Sequence, residues 1–453
     1  MTQDAPEQAG NIAKFKISSN FKGNAVDMSA AVQEFNYYES VLSNTITATA
    51  IIMESGFETS DGKKATPKQS TLDGLPIRGG ERTDILITDT RQNELTFPKG
   101  LYINRVRDSV PGTQTDLYSL DFGSREYFAN DMTRVVKRYE GKISDHVESI
   151  LKDLLKVDGK VDIDPTAVPY NFIGNDKKPF YTCTWLASKA IPEDGGSGGG
   201  DAGSAIGGAA GFLFYQTRDG FHFKSIDKLF AEKPVKKYIF NNASQSNLPA
   251  GYDEKIISYT IDSDVDLNKN LLLGQYNNRS IFFNFLSFNY ELVEYSVETD
   301  QQEKITTAGT VPIAETVAKE FTESPSRLMT QVLDVGTLPP GKDMCEQLKQ
   351  WKDEPTNPNY QAADTMVQSI MRYNQMFTIK TNITIPGDFT LKAGDIIKCD
   401  FPELKGEKNK EKNPESGGIY MIAHVCHRIT PRDTYTSLGL VRDSFGTKKG
   451  GKK

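Results

Sequence analysis

Cysteine is scarce in this chain of 453 residues: Cys183, Cys345, Cys399 and Cys426 lie far apart, with no CxxC spacing among them. Free thiols are therefore expected, and with them synthesis in a reducing cytosol. Long apolar runs are also absent. No stretch approaches the roughly 20 residues of a membrane span, so stable membrane insertion is not expected. The polar start Met1–Gly10 does not read as a secretory leader. The matches to the glycosylation pattern at Asn242, Asn278 and Asn382 accordingly carry no weight. Cationic charge is not in excess: 53 Lys and Arg against 60 Asp and Glu give a net charge of −7. That balance excludes a broad electrostatic grip on nucleic acid or on an anionic membrane.

Catalytic constellations are missing as well. Gly198, Gly200 and Gly203 spell a literal GxGxxG inside the glycine-rich stretch 195–211. A dinucleotide site needs a strand before that motif and a helix N-terminus after it. Ile191-Pro192-Glu193-Asp194 is no buried strand and no Lys-Ser/Thr follows, so the stretch reads as a flexible loop. His424, Cys426 and His427, with Cys399 nearby, form the one metal-like group. Residues three apart on a strand point to opposite faces, and a closed zinc site needs about four ligands. His146 and His222 have no evident Ser or Cys partner. No catalytic residue, cofactor or metal site is expected.

What the chain does have is strand patterning. Phe377, Ile379, Thr381, Ile383 and Ile385 alternate with Thr378, Lys380, Asn382 and Thr384, the period of two that a half-buried strand requires. Pro386-Gly387-Asp388 ends that run as a turn. Ile396–Phe401, Gly418–Ile429 and Tyr435–Val441 follow as further strands, separated by the polar loop Lys405–Asn413. Near the start, Thr45, Thr47 and Thr49 alternate with Ile46, Ala48, Ala50 and Ile52.

The two ends of the chain also resemble each other. Gly100-Leu101-Tyr102-Ile103, Val106 and Ser119-Leu120 match Gly418-Ile419-Tyr420-Met421, Val425 and Ser437-Leu438. The offsets are 418 − 100 = 318, 425 − 106 = 319 and 437 − 119 = 318. A register that holds within one residue points to one folded unit used twice. The expected fold class is mainly β with α+β parts, built from two similar antiparallel β-barrels, an α+β domain and a helical insertion. Residues 1–124 make the first barrel, and 125–237 the α+β domain with its loop 195–211. Residues 238–297 and 377–446 make the second barrel. Residues 298–376 are expected to form the helical insertion or cap, with helices at Val311–Phe321, Arg327–Val335 and Gln361–Met376. Residues 447–453 form a flexible basic tail.

The closing run 416–429 (SGGIYMIAHVCHRI), with 438–445 (LGLVRDSF), resembles the baseplate central hub proteins of contractile-tailed bacteriophages. So do the stretches 256–261 and 268–274. In that family the two barrels are called tube domains, and the fold is related to type VI secretion spike proteins. The resemblance implies a homotrimer presenting six quasi-equivalent barrels in a ring, which two barrels per chain would supply. It further implies a structural role, joining a six-fold tail tube protein ring to a trimeric spike protein, with baseplate wedge proteins around it. DNA would be present only in transit, and the protein would be a virion component assembled in the host cytoplasm. In such a ring the polar faces of the copied strands are the lumen-lining candidates: Thr45, Thr47 and Thr49 in one barrel, Thr378, Lys380, Asn382 and Thr384 in the other. The alternative is a β-rich tail-spike enzyme or carbohydrate-binding module acting on a host envelope. It would need paired acids or exposed aromatic platforms, and only Trp185 and Trp351 are available beside 19 tyrosines.

Overall fold

The computed structural model describes residues 10–20, 24–56, 70–110, 114–193, 209–240, 248–263, 266–284, 289–296, 307–332, 362–402 and 416–446, with single residues 112, 305, 359 and 413 between them. The glycine motif at 198–203, most of the loop 405–413 and the tail 447–453 lie outside the described residues.

The first barrel uses six strands: β1 (Asn11–Ser18), β2 (Val32–Ser40), β3 (Thr47–Glu54), β4 (Arg82–Thr88), β5 (Leu101–Val110) and β6 (Asp116–Gly123). They pair in the order β1-β4-β5-β6-β3-β2. Alternation does the folding: Phe35 and Tyr37 of β2, Ala48, Ala50 and Ile52 of β3, and Tyr118, Leu120 and Phe122 of β6 all point into one core. The two outermost strands meet there, with the rings of Phe15 and Phe35 6.1 Å apart, so the sheet wraps onto itself. Each large apolar side chain buried this way contributes about 1.5–3 kcal/mol.

The middle of the chain is α+β. Helix α1 (Arg125–Met132) is capped by Ser124, whose hydroxyl accepts from the N–H of Tyr127. Helix α2 (Ile143–Ser149) has Lys142 at its N-cap. Strand β7 (Lys160–Ile163), helix α3 (Pro179–Ala187) and the hairpin β8 (Phe212–Thr217) and β9 (Gly220–Ser225) follow. The hairpin turns at Asp219-Gly220 because Gly220 has φ +147° and any Cβ there would strike the Lys160 carbonyl. Phe212 stacks on Phe223 and Phe214 on Phe221 across it, and Phe214 and Phe221 pack on Phe180 of α3.

After the short helix α4 (Ile226–Ala231) come β10 (Lys236–Ile239) and β11 (Ser258–Ser263). Next stand β12 (Asn277–Asn284), β13 (Asn289–Ser296) and β14 (Arg327–Val332), then helix α5 (Ala362–Met376). The last four strands are β15 (Ile379–Pro386), β16 (Ile396–Asp400), β17 (Gly418–Ile429) and β18 (Thr434–Arg442). Here β10-β16-β17-β18-β15-β11 pair in turn. Counted along the chain, both six-strand units run first, fourth, fifth, sixth, third, second. A bulge even falls at matched places, between Ile103 and Arg105 of β5 and between Ile422 and His424 of β17. The offset across that bulge is 424 − 105 = 319, while the partner strands keep 440 − 122 = 318. The ladders therefore set Tyr102 on Met421, not on Tyr420, which keeps half-exposed Tyr102 and buried Tyr420 on their own faces. One departure is plain: β1 runs antiparallel to β4, whereas β10 runs parallel to β16.

Strands join the two units directly. The outer half of β17, His424 to Ile429, pairs antiparallel with β2, Ser40 to Phe35, and Ile429 belongs to the first barrel's core. Two sequence expectations need correction. Val311–Phe321 and Arg327–Val335 are not helices: Val311–Pro312 pairs with Ser444–Phe445, two short 3₁₀ turns follow, and Arg327–Val332 is strand β14. Leu328, Thr330 and Val332 are exposed while Arg327, Met329 and Gln331 are half-buried, a period of two that the helical reading overlooked. Strands β12 and β13 also leave the second barrel, since they pair with β14 in a separate three-stranded sheet. The third expected helix stands as α5, with Ala363, Val367 and Met371 on one buried stripe.

Helix α5 is tied to both neighbours by a buried charge. Arg372, 1% exposed, makes 2.8–2.9 Å contacts to Asp227 of α4 and a 2.7 Å bond to Asp443 beyond β18. Arg372→Met is expected to cost about 3–5 kcal/mol by stranding two buried carboxylates. Guanidinium unfolding checks this; an unchanged midpoint would refute it.

Candidate functional site

Cross-strand partners share a face, so the ladders can be read outward from the junction. One row runs Ser258, Thr384, Ser437, Cys426, Tyr38, Thr47 and Gly123 across β11, β15, β18, β17, β2, β3 and β6. The neighbouring row runs Thr260, Asn382, Gly439, His424 and Ser40. Apolar partners on the same strands point the other way, into the two cores. The result is one mostly polar face that crosses both barrels, with Met53 and Leu117 exposed towards one end of it. At its centre lies a concavity of about 500 Å³, lined by Thr45 and Thr47 from one barrel and Asn382 and Thr384 from the other.

The expected residues divide accordingly. Thr47 and Asn382 are exposed, and Thr49, Lys380 and Thr384 are half-buried on the same face. Thr45 precedes β3 and rims the concavity, its Oγ1 3.0 Å from Ser124 Oγ. Thr378 is not on the face. It precedes β15 and is buried, where its Oγ1 accepts from Gln275 at 2.7 Å and donates to the Gln375 carbonyl at 2.7 Å. Local turn bonding overrides the alternation there. Sequence reasoning missed Ser258, Thr260, Tyr38, Ser40 and Ser437, although their alternation with apolar neighbours was the available signal.

The metal-like group resolves as strand geometry demands. His424 is exposed on the polar face, Cys426 half-buried on the same face, and His427 fully buried on the other. Partial desolvation by the surrounding strands holds the His424 imidazole, though its surface is exposed, below the ordinary histidine range, and burial pushes the Cys426 thiol up. His427 sits 2.9 Å from Thr436 Oγ1 and packs on Phe389. Among the described residues, no three His, Cys, Asp or Glu side chains gather to hold a metal ion.

Part of the charge on this face is paired, while Arg105, opposite Asp121, stands exposed. Arg428 donates to Glu34 at 2.9 Å and Arg107 to Asp121 at 2.6 Å. Although burial opposes it, bonds from Asn36 and Arg428 hold the Glu34 carboxyl below its usual range. Chemically, the face offers hydroxyls, amides and mostly compensated ions, and among the described residues no nucleophile on it is activated by a base. Below it, Glu39 plugs the junction: its buried carboxylate accepts from the Tyr37 hydroxyl at 2.8 Å and from the N–H groups of Arg218 and Ala393 at 2.9 Å. Three parts of the chain thus converge on one side chain.

No family model matches the chain, and no curated protein matches it. Solved structures do. A tail protein from Neisseria meningitidis MC58 aligns over 95% of this chain and 97% of its own, at 11% identity and a TM-score of 0.50. The 43 kDa tail protein of prophage MuSo2 from Shewanella oneidensis aligns over 94% and 98%, at 8% identity and a TM-score of 0.49. A type VI secretion component of E. coli aligns over 91% of this chain and 74% of its own, at 10% identity and a TM-score of 0.39.

Buried histidine makes stability depend on pH. Desolvation pushes the His427 imidazole down to about 3, against about 6.5 in an unfolded chain. Between those values the unfolded state binds the extra proton, so His427's contribution is complete above pH 6.5 and drains away as pH falls toward 3. Urea midpoints at pH 7 and pH 5 are expected to separate in the wild type and to draw together in His427→Gln. Equal separation in both would refute this. With the ladders and the alignment together, the chain shares the fold of the Neisseria tail protein.

Proposed function

We propose that the protein is a structural baseplate hub of a contractile phage tail: a homotrimer whose six barrels form a ring joining a six-fold tail tube to a three-fold spike. The observation that carries this reading is the polar face. Two barrels of one strand order, fused through β2 and β17, present seven strands of one continuous surface with neutral polar groups. Three such pairs closing on themselves would give quasi-six-fold symmetry without six copies. The face then lines the bore. Thr47, Thr49, Asn382 and Thr384 would hydrogen-bond to the water filling it, and the pairing of Arg428 with Glu34 and of Arg107 with Asp121 would leave passing DNA fewer free cations. The reading needs no catalysis and involves none. Spike, tube and wedge proteins are the partners it requires, and the virion is its place.

The reading is tested on the full chain by mass and by access. Light scattering is expected to find a trimer, alone or with its spike. Cysteines placed at Thr47 and Asn382 are expected to react with bulky maleimides in the open ring and to be shielded once a tube or spike plugs it. Free labelling of both sites in the plugged assembly would put these faces outside and sink the lumen assignment.

A further inference from the structure

We infer that Glu254 is a proton-operated latch between the two barrels. As the neutral acid it holds the turn after β4 against the second barrel, and on losing its proton it lets that contact loosen. The inference concerns a junction within one chain and is independent of the ring proposed above.

Besides the ladder of β2 and β17, the barrels meet at a cluster of charged groups. From the first barrel, the turn after β4 brings Asp89 and Arg91, the Arg91 N–H donating to the Asp89 carboxylate at 2.8 Å. Asp89 also accepts the N–H of Phe389 at 3.3 Å, and Phe389 packs in the first barrel's core. Arg91 reaches across to the second barrel. One of its terminal nitrogens bonds to Glu254, and the other lies 3.8 Å from Asp388. Glu254 opens a two-residue strand that pairs parallel with Tyr238 and Ile239 of β10. Asp388 stands in the turn after β15. One guanidinium therefore lies between two carboxyl groups of the neighbouring barrel.

Those two carboxyl groups are unequally supplied. Asp388, fully buried, bonds to Lys236 and accepts from the Thr390 N–H at 3.0 Å, the Thr390 hydroxyl at 2.6 Å and the Tyr238 hydroxyl at 3.4 Å. Although burial opposes it, the bonds from Lys236 and Thr390 hold the Asp388 carboxyl below its usual range. Asp388 is the fixed charge of the cluster. Glu254 has only Arg91 on one oxygen, and its other oxygen is buried with no partner. The Arg91 side chain is 44% exposed, so solvent screens the charge it offers. A second ionised carboxylate beside Asp388 would meet both desolvation and like-charge repulsion, and one proton on Glu254 relieves both. Consistent with this, burial and then Asp388 push the Glu254 carboxyl up to about 7, against the pull of Arg91 and Lys236. Arg91, Lys236, Asp388 and Tyr238 are the charged and titratable groups that face it.

The direction of the switch follows from linkage. Glu254 holds its proton more tightly in the closed junction than in water, so the closed form gains from it at low pH. That support is complete below the ordinary glutamate range and is lost as pH rises through about 7. What then loosens is the strand Glu254–Lys255, anchored to β10 by only two residues, together with the turn that bears Arg91.

The test is hydrogen exchange on the full-length chain, corrected for the intrinsic effect of pH. Peptides covering 89–93 and 252–257 are expected to exchange about three- to tenfold faster at pH 8.5 than at pH 6 in the wild type, the lower figure allowing for solvent screening. In Glu254→Gln, which is neutral at both pH values, the rates should not change. An equal change in both proteins, or none in the wild type, would overturn the latch. Urea unfolding gives a second measurement through Arg91→Met, a substitution at a half-exposed side chain. With that cation gone Glu254 holds its proton to higher pH, so the pH at which stability falls is expected to move upward. A fall at the same pH as in the wild type would also overturn the inference.

Discussion

Everything in this molecule leans on the ladder between β2 and β17. It is the place where two units of the same strand order stop being separate bodies and become one sheet. Backbone pairing of this kind is stiff and register-specific, because a slip of one residue would turn every side chain to the wrong face. Ile429 would leave the first barrel's core, and His427 would leave its buried place beside Phe389 for water. Register thus fixes the angle between the barrels, and with it the continuity of the polar face.

Buried charge secures that junction from behind. Glu39 on β2 collects N–H groups from the β8–β9 turn and from the segment after β15, and Arg372 ties α5 to α4 and to the end of β18. Such groups are poor sources of net stability, since their desolvation offsets most of the attraction. Their value is geometric. A carboxylate that must find three donors, or a guanidinium that must find two carboxylates, accepts only one arrangement of the elements that carry them. The α+β part is thereby held in one orientation against both barrels.

Much of this was legible in the sequence, for reasons that differ from element to element. The alternation in Ile379–Ile385 marks a strand because period two has no helical counterpart. The duplication was legible because buried positions keep their spacing, yet matching Tyr102 to Tyr420 misplaced one strand by a residue. Side-chain likeness follows chemistry, whereas equivalence follows the ladder and its bulge. The helical reading of Arg327–Val335 failed since β14 is a short, exposed edge whose pairing with β12 comes from far away in the chain. The concave face was half legible. Its threonines stand out, but no local pattern says that β11 and β3 belong to one surface.

The two copies have also diverged where their surroundings differ, and that divergence is informative. Strand β17 runs from Gly418 to Ile429 with a single bulge, and its outer half is covered by β2. Its counterpart β5 repeats that bulge and adds another, with Asp108 in a left-handed conformation and Ser109 and Val110 exposed. Among the described residues no strand pairs with that outer edge, and a second bulge kinks it so that it is a poor template for uncontrolled association.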